Sequence, residues 1–239
     1  LISWPLLLAG HASAQLMESK LVPFDGDVGD QFGWRIAHAP GWTFVGCNLD
    51  DDVQDQSGAV YVYRSVAGSW VFTQKIKKPA PGLSDQFGND VAVSGDWMVA
   101  GAWKDNPGGV FDAGSAHVYE NQGGTWVHSQ ELVASDFDQP GPENFGEKLA
   151  LDGSTMVVGM PRDNYKQVSS GSIYVFELQG ATWVEAAKLA PEDPQDWEAA
   201  AAFGFSVDVE GDVIVAGALT MDNGIPGSNR GAAFVFERI

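Results

Sequence analysis

Residues 84–101 decide the fold and read SDQFGNDVAVSGDWMVAG. After Phe87-Gly88, the stretch contains two short apolar runs, 91–93 and 97–101, with Ser94-Gly95-Asp96 between them. A Gly-Asp pair between two apolar runs is a strong signal for a tight β-hairpin turn. The stretch therefore predicts two antiparallel strands that begin just after a Phe-Gly pair.

Four copies of the Phe-Gly pair are spread evenly over the chain. Successive Phe residues are separated by 55, 58 and 58 positions. A glycine follows fourteen residues after each Phe, and a further apolar run that ends in Tyr or Phe comes next. We predict that the pairs pack the repeats against one another, because glycine lets two backbones approach closely. The predicted packing pairs are Phe32-Gly33, Phe87-Gly88, Phe145-Gly146 and Phe203-Gly204.

Each repeat reads as four short strands, and almost no segment has a helical period. Trp70, Trp126 and Trp183 open the predicted fourth strands. The repetition predicts an all-β fold, a β-propeller of four-stranded antiparallel blades with four blades in this chain. The sequence stops before a fourth strand in the last repeat, and residues 15–22 match the position of one. We therefore expect this N-terminal strand to close the last blade; the alternative is that the chain is part of a seven-bladed propeller.

The composition argues against several classes of function. Of 239 residues, 13 are Lys or Arg and 32 are Asp or Glu, so the net charge is 13 − 32 = −19. Such a chain has little basic surface for nucleic acid or for an anionic membrane. Beyond the N-terminal segment, no apolar run approaches the ~18 residues that a membrane-spanning helix needs. Cys47 is the single cysteine, which excludes an internal disulfide and a cysteine-based zinc site.

The N-terminal segment predicts export. Residues 1–10 read LISWPLLLAG, and Ala12-Ser13-Ala14 has the A-x-A pattern of a signal-peptide cleavage site. We interpret residues 1–14 as the remnant of a signal peptide and residues 15–239 as the propeller. The expected location is secreted, extracellular or at the cell surface.

The repeat resembles the FG-GAP repeat family, whose best-known members form the propeller at the head of integrin α chains. The Phe-Gly half of the motif matches in all four copies, and residues 84–96 are similar to the variant found in secreted microbial and algal proteins. The resemblance covers about residues 16–239 and implies a β-propeller. Integrin-type repeats often carry a calcium loop between the first two strands, whereas that connection here is a turn such as Ser94-Gly95-Asp96. Calcium needs six to eight oxygen ligands, which so short a turn cannot supply.

A second acidic feature recurs after the second glycine of each repeat. Equivalent loops of a propeller emerge on one face, so these carboxylates would surround that face. Clustered oxygens suit a hard cation such as Ca²⁺, but Asp also caps backbone N–H groups in turns, and both interpretations stay open. We expect no obligatory cofactor, with Ca²⁺ as the candidate ion. The candidate ligands are Asp50, Asp52, Asp105, Asp163 and Asp222.

Trp103 and Trp197 have no counterpart in the other repeats. They are the candidate ligand-binding residues, because loops carry function more often than strands. The sequence has no nucleophile elbow, zinc-protease motif or phosphate-binding loop, and we predict no catalytic residues. The predicted function is a binding or adhesion module that presents a propeller face to an extracellular protein or glycan. The alternatives are a glycan-active hydrolase or lyase and a purely structural segment of a larger extracellular protein; the oligomeric state stays open.

Overall fold

A computed structural model describes residues 18–136, 142–193, 198–222 and 224–238 of the chain. These residues form four antiparallel sheets, here called blades 1 to 4, whose strands follow one another in chain order. Blade 1 contains β1 (Arg35–Ala39), β2 (Trp42–Cys47), β3 (Ala59–Val66) and β4 (Ser69–Ile76). Blade 2 contains β5 (Phe87–Ser94), β6 (Trp97–Ala102), β7 (Ser115–Gln122) and β8 (Thr125–Leu132). Blade 3 contains β9 (Lys148–Asp152), β10 (Thr155–Met160), β11 (Ser172–Gln179) and β12 (Thr182–Leu189). Blade 4 contains β13 (Phe203–Glu210), β14 (Val213–Ala218) and β15 (Ala232–Glu237).

The predicted all-β fold of antiparallel repeats is confirmed. Blades 1 to 3 have four strands each, and blade 4 has three within the described residues. That part of the chain contains no α-helix, and Pro107–Gly109 forms a single 3₁₀ turn. In the hairpin expected from residues 91–101, Ser94 pairs with Trp97. Gly95 makes this turn with a φ of +58°, a left-handed conformation that glycine adopts without steric cost.

The apolar core lies between successive blades. One buried cluster joins Phe44 and Val62 of blade 1 to Met98 of blade 2. A second cluster joins blade 2 to blade 3, and a third joins blade 3 to blade 4. Blades 2 and 3 therefore bury one face against the preceding blade and the other against the following blade, as in repeat proteins whose stability comes from neighbouring units.

Three of the four Phe-Gly pairs lie where the backbones of two blades touch. In the first pair, Phe32 instead packs against Tyr61 and Tyr63 of blade 1, because no described blade precedes it. Phe87 is fully buried and forms an isolated bridge with Gly58 of the preceding blade. Gly58 has a φ of +82°, and a Cβ atom there would lie 2.1 Å from the carbonyl oxygen of Phe87. No other residue fits this contact without moving the backbone. Phe145 and Phe203 are also buried, and each has a glycine of the preceding blade in the same position.

The predicted closing strand is not found among the described residues. Residues 18–22 lie outside any strand, and the far edge of β15 has no partner in the described part of the chain. Instead, the hydroxyl of Tyr63 in blade 1 donates a hydrogen bond to the carbonyl oxygen of Val22 at 3.1 Å. The packed interfaces join blades 1–2, 2–3 and 3–4, so blade 1 and blade 4 are not neighbours among the described residues. The N-terminal segment lies against blade 1 and therefore does not reach β15. Residues 1–17, which include the predicted signal remnant, lie outside the described residues.

Candidate binding face

The long connections of the chain lie at one end of the blades. They are of two kinds, the loops between the second and third strands of a blade and the connections between blades. Backbone hydrogen bonds join loops of one kind to loops of the other, such as the 2.9 Å bond from Ser84 N to Asp55 O. The hairpins at the opposite end all have two-residue turns. We call the first end the loop face, formed by residues 48–58, 77–86, 103–114, 133–136, 142–144, 161–171, 190–193, 198–202, 219–222 and 224–231.

In blade 1, the repeated acidic position is paired with a lysine. The Lys75 ammonium lies 2.6 Å from Asp50 Oδ2 and 2.9 Å from Asp25 Oδ2, and it also contacts Asp52. The Tyr61 hydroxyl lies 3.0 Å from Asp50 Oδ2. Burial lowers the pKa of Lys75, but hydrogen bonds with Asp50 and Asp52 raise it more, so the net shift is upward. Lys75 therefore stays charged and neutralises a buried carboxylate.

Blade 3 repeats this arrangement with the equivalent lysine. Lys188 Nζ lies 2.7 Å from Asp163 Oδ2 and 2.7 Å from Asp136 Oδ2. The Tyr174 hydroxyl donates to Asp136. Burial raises the pKa of Asp136, but its hydrogen bonds with Lys188 and Tyr174 lower it more. The sequence contained the signal for this site, because each lysine directly precedes the last apolar residue of its fourth strand.

In blade 2, the repeated aspartate is also paired with a lysine, but this lysine comes from another position in the chain. Its fourth strand has Glu131 in place of the lysine. Lys78, from the connection that follows blade 1, lies 2.7 Å from Asp105 Oδ1 and 3.1 Å from Asp85 Oδ2. The Ser115 hydroxyl donates to Asp105 Oδ2 at 2.6 Å. The lysine position thus varies, while the aspartate keeps a cationic partner.

Asp222 of blade 4 differs from the other three. Its carboxylate accepts hydrogen bonds from the backbone N–H groups of Gly227 at 2.6 Å and Asn229 at 2.9 Å. These hydrogen bonds lower its pKa. Among the described residues, no lysine or arginine forms an ion pair with it. Asp222 therefore has the geometry of a turn-capping residue.

Most of the predicted metal ligands already have a cationic partner in the protein. At Asp50, Asp105 and Asp163, an ammonium group already lies where a cation was expected, so a metal ion would have to displace it. A buried group formed by Asp30, Cys47 and Asp50 has suitable ligand spacing. However, burial raises the pKa of Cys47 to about 12, so the thiol keeps its proton and is a poor ligand. Calcium binding stays a prediction.

Trp103 lies on the loop face at the junction of blades 2 and 3. Its indole N–H donates to Gln86 Oε1 at 2.9 Å, and its carbonyl oxygen accepts a hydrogen bond from Asn144 Nδ2 at 3.0 Å. Lys104 Nζ lies 4.8 Å from the ring centroid, and Arg162 Cζ lies 5.9 Å from it. The half-buried ring is thus held in place by hydrogen bonds, and two cationic groups lie over it. Trp197, the other candidate, lies outside the described residues.

Large apolar side chains are exposed in several loops of this face. Singly exposed apolar residues are normal, and the strands carry some too; those on the loops are the ones that a ligand of the loop face would contact. They are Val53, Leu83, Phe111, Tyr165, Val168, Leu219 and Ile225.

The FG-GAP repeat family model matches the chain four times, over residues 16–63, 70–119, 126–176 and 183–236. The chain belongs to the FG-GAP repeat family. FG-GAP repeats are in general structural or binding modules and are typical of extracellular proteins. A comparison with curated proteins gives no match. No helix in the described residues is long and apolar enough to cross a membrane.

Two largely buried acids lie near one another, Asp90 in the first strand of blade 2 and Glu147 just before the first strand of blade 3. Burial raises the pKa of Asp90 and that of Glu147. Asp90 Oδ2 accepts a hydrogen bond from the backbone N–H of Leu149 at 2.9 Å, and Arg35 Nε lies 3.7 Å from its other oxygen. Asp90 therefore connects three blades, which explains its burial structurally.

A buried polar network inside blade 2 was not evident from the sequence. The Ser115 hydroxyl, which donates to Asp105, lies 3.0 Å from His117 Nε2, and His117 Nδ1 lies 3.3 Å from His128 Nε2. Ser115 and His117 are completely buried. In a nucleophilic triad the histidine lies between the serine and the acid, whereas here the serine lies between the other two. The order of the three groups therefore differs from that of the triad.

Proposed function

We propose that this FG-GAP chain is a secreted or cell-surface binding module that presents its loop face to an extracellular protein or glycan. The observation that carries the proposal is the position of Trp103, which lies next to Lys104 and Arg162 on a face that also exposes Phe111. Aromatic and arginine side chains contribute most strongly to protein interfaces. The long loops provide this surface, and the packed blades hold it in place.

A protein ligand is favoured over a glycan. A sugar ring that stacked on Trp103 would compete for the indole with Lys104 and Arg162, because both cations lie over the ring. Exposed apolar side chains on several loops instead suit a broad protein surface. The proposal needs no cofactor; the predicted Ca²⁺ is tested by adding a chelator.

The test is a binding screen of the whole chain against extracellular matrix proteins and a glycan panel, with and without chelator. For a ligand found this way, Trp103→Ala and Phe111→Ala are each expected to weaken binding at least about 10-fold. The control is Val66→Ala, because Val66 is exposed near the opposite end. Equal binding by all variants would place the ligand elsewhere and refute the proposed face.

A glycan-active enzyme is the second candidate. The raised pKa values of Asp90 and Glu147 favour it, since a hydrolase needs a carboxyl group that keeps its proton. The contacts of Asp90 with Arg35 and Leu149 favour the structural role instead. Hydrolysis of a glycan panel by the wild-type chain that is lost in Glu147→Gln, with an unchanged melting temperature, would establish the enzyme.

A further inference from the structure

The outward face of blade 4 carries apolar residues that are buried in every other blade. Val215 of β14 matches Phe44, Val99 and Val157, which are fully buried against the following blade, yet it is 38% exposed. Val235 of β15 is 60% exposed, whereas its counterpart Val175 in blade 3 is 4% exposed. Blade 4 therefore presents the surface on which blades 1 to 3 each receive the next blade. We call this surface, Val215 with Val235, the tail face.

Blade 1 carries the complementary surface. Ile36 of β1 is 72% exposed, whereas its counterparts Val91 and Leu149 are 5% and 7% exposed because they pack against the preceding blade. We call this surface of blade 1, centred on Ile36, the head face. Three interfaces inside the chain show that a head face and a tail face of this repeat pack together.

The segment 18–22 already has the position of a fourth strand relative to blade 1. The Tyr63 hydroxyl donates to Val22 O at 3.1 Å, as the Tyr119 hydroxyl donates to Lys77 O at 3.1 Å just beyond the fourth strand β4. Leu21 packs beside the core of blade 1, in register with Ile76, the last residue of β4. Blade 4, in turn, has a free edge at β15 in the described residues.

The charges of the two ends are also complementary. Lys20 has the register position of Lys75 and Lys188, the fourth-strand lysines that pair with Asp50 and Asp163. Asp222 has the equivalent aspartate position in blade 4 and forms no such pair within the described residues. A segment 18–22 laid along β15 would bring Lys20 to Asp222.

We propose that the tail face of blade 4 binds the head face of a second copy of this chain. Residues 18–22 of that copy form the fourth strand of blade 4, Ile36 packs against Val215 and Val235, and Lys20 pairs with Asp222. A second copy is the occupant because blades 1 and 4 of one chain share no packed interface among the described residues. The contact is heterologous, so it closes a ring of two copies or continues as an open series.

The first test is sedimentation equilibrium of the whole chain. The wild type is expected to associate, and Ile36→Asp and Val235→Asp are each expected to weaken association at least about 100-fold, because each buries a carboxylate in an apolar contact. Mixing the two variants is expected to restore a 1:1 dimer, since one retains the tail face and the other the head face. The control is Val127→Asp, because Val127 is 39% exposed on β8 of an inner blade.

The second test exchanges the charges. Lys20→Asp and Asp222→Lys are each expected to weaken association, and the double variant is expected to recover it. Asp222 also caps its own turn, so the recovery, and not the single loss, identifies the pair. A wild-type chain that stays monomeric at all concentrations would overturn the proposal and favour closure within one chain. Association that survives Ile36→Asp but not Val235→Asp would overturn it in favour of tail-to-tail pairing.

Discussion

Replacing Lys75 by Met tests the interpretation that an ammonium group holds the repeated carboxylates. The side chain of Asp50 is 1% exposed and that of Lys75 is 10% exposed, so Lys75→Met removes the cation and leaves a buried carboxylate behind. Methionine keeps the length and the apolar stem of lysine. The variant therefore changes the charge with little change in packing.

The size of the effect follows from the burial of the groups. Removing one partner of a buried ion pair costs about 3–5 kcal/mol. The lower value applies here, because the Tyr61 hydroxyl stays 3.0 Å from Asp50 Oδ2. Asp25 and Asp52 are more exposed, and water screens their contribution. A loss of about 3 kcal/mol lowers the melting temperature of a chain of this size by about 6–12 °C.

The assay is urea and thermal unfolding followed by tryptophan fluorescence. Lys77→Met is the matched control, because Lys77 pairs at 3.0 Å with Asp52 alone and both side chains are partly exposed. That control is expected to cost about 1 kcal/mol or less. If Lys75→Met is no more destabilising than Lys77→Met, the buried ammonium does not stabilise the loop and the reasoning fails.

Three further predictions use the same unfolding assays. Gly58→Ala is expected to destabilise the chain by several kcal/mol, because its Cβ would meet the Phe87 carbonyl oxygen. The control is Gly41→Ala, which has a similar positive φ but no atom within 4 Å of the new Cβ, and it should cost about 1–2 kcal/mol. Burial, together with the nearby His117, lowers the pKa of His128 below 6.5. As the pH drops through about 6.5, His128 therefore binds a proton in the unfolded chain before it does so in the folded chain, and the stability of the folded chain falls. His128→Gln should remove that part of the loss between pH 7 and 5, and an unchanged pH profile would contradict it. Calcium should raise the melting temperature of Lys75→Met more than that of the wild type, because the ammonium no longer occupies the space between Asp25, Asp50 and Asp52. Equal shifts would show that the ammonium does not exclude the ion.

The blades could be predicted from the sequence because their signals are local. The hairpin at Gly95 depends on neighbouring residues, and its spacing from Phe87 recurs in each repeat. The partner of Asp105 could not be predicted in this way. Its lysine, Lys78, lies in the connection after blade 1, and the fourth strand of its own blade has Glu131 at the expected position. A contact formed across two blades leaves no periodic signal.

The loop face is a separate surface from the head face and the tail face. Ligand binding and self-association can therefore be distinguished by experiment. A head-to-tail pair of chains would carry two loop faces, and linked sites bind a multivalent ligand more tightly than single sites do. Ile36→Asp should therefore weaken binding to a ligand immobilised at high density and leave the affinity for the same ligand in solution unchanged. Trp103→Ala should weaken both. If Ile36→Asp weakened both equally, the head face would itself contact the ligand, and the division between an assembly surface and a recognition surface would be wrong.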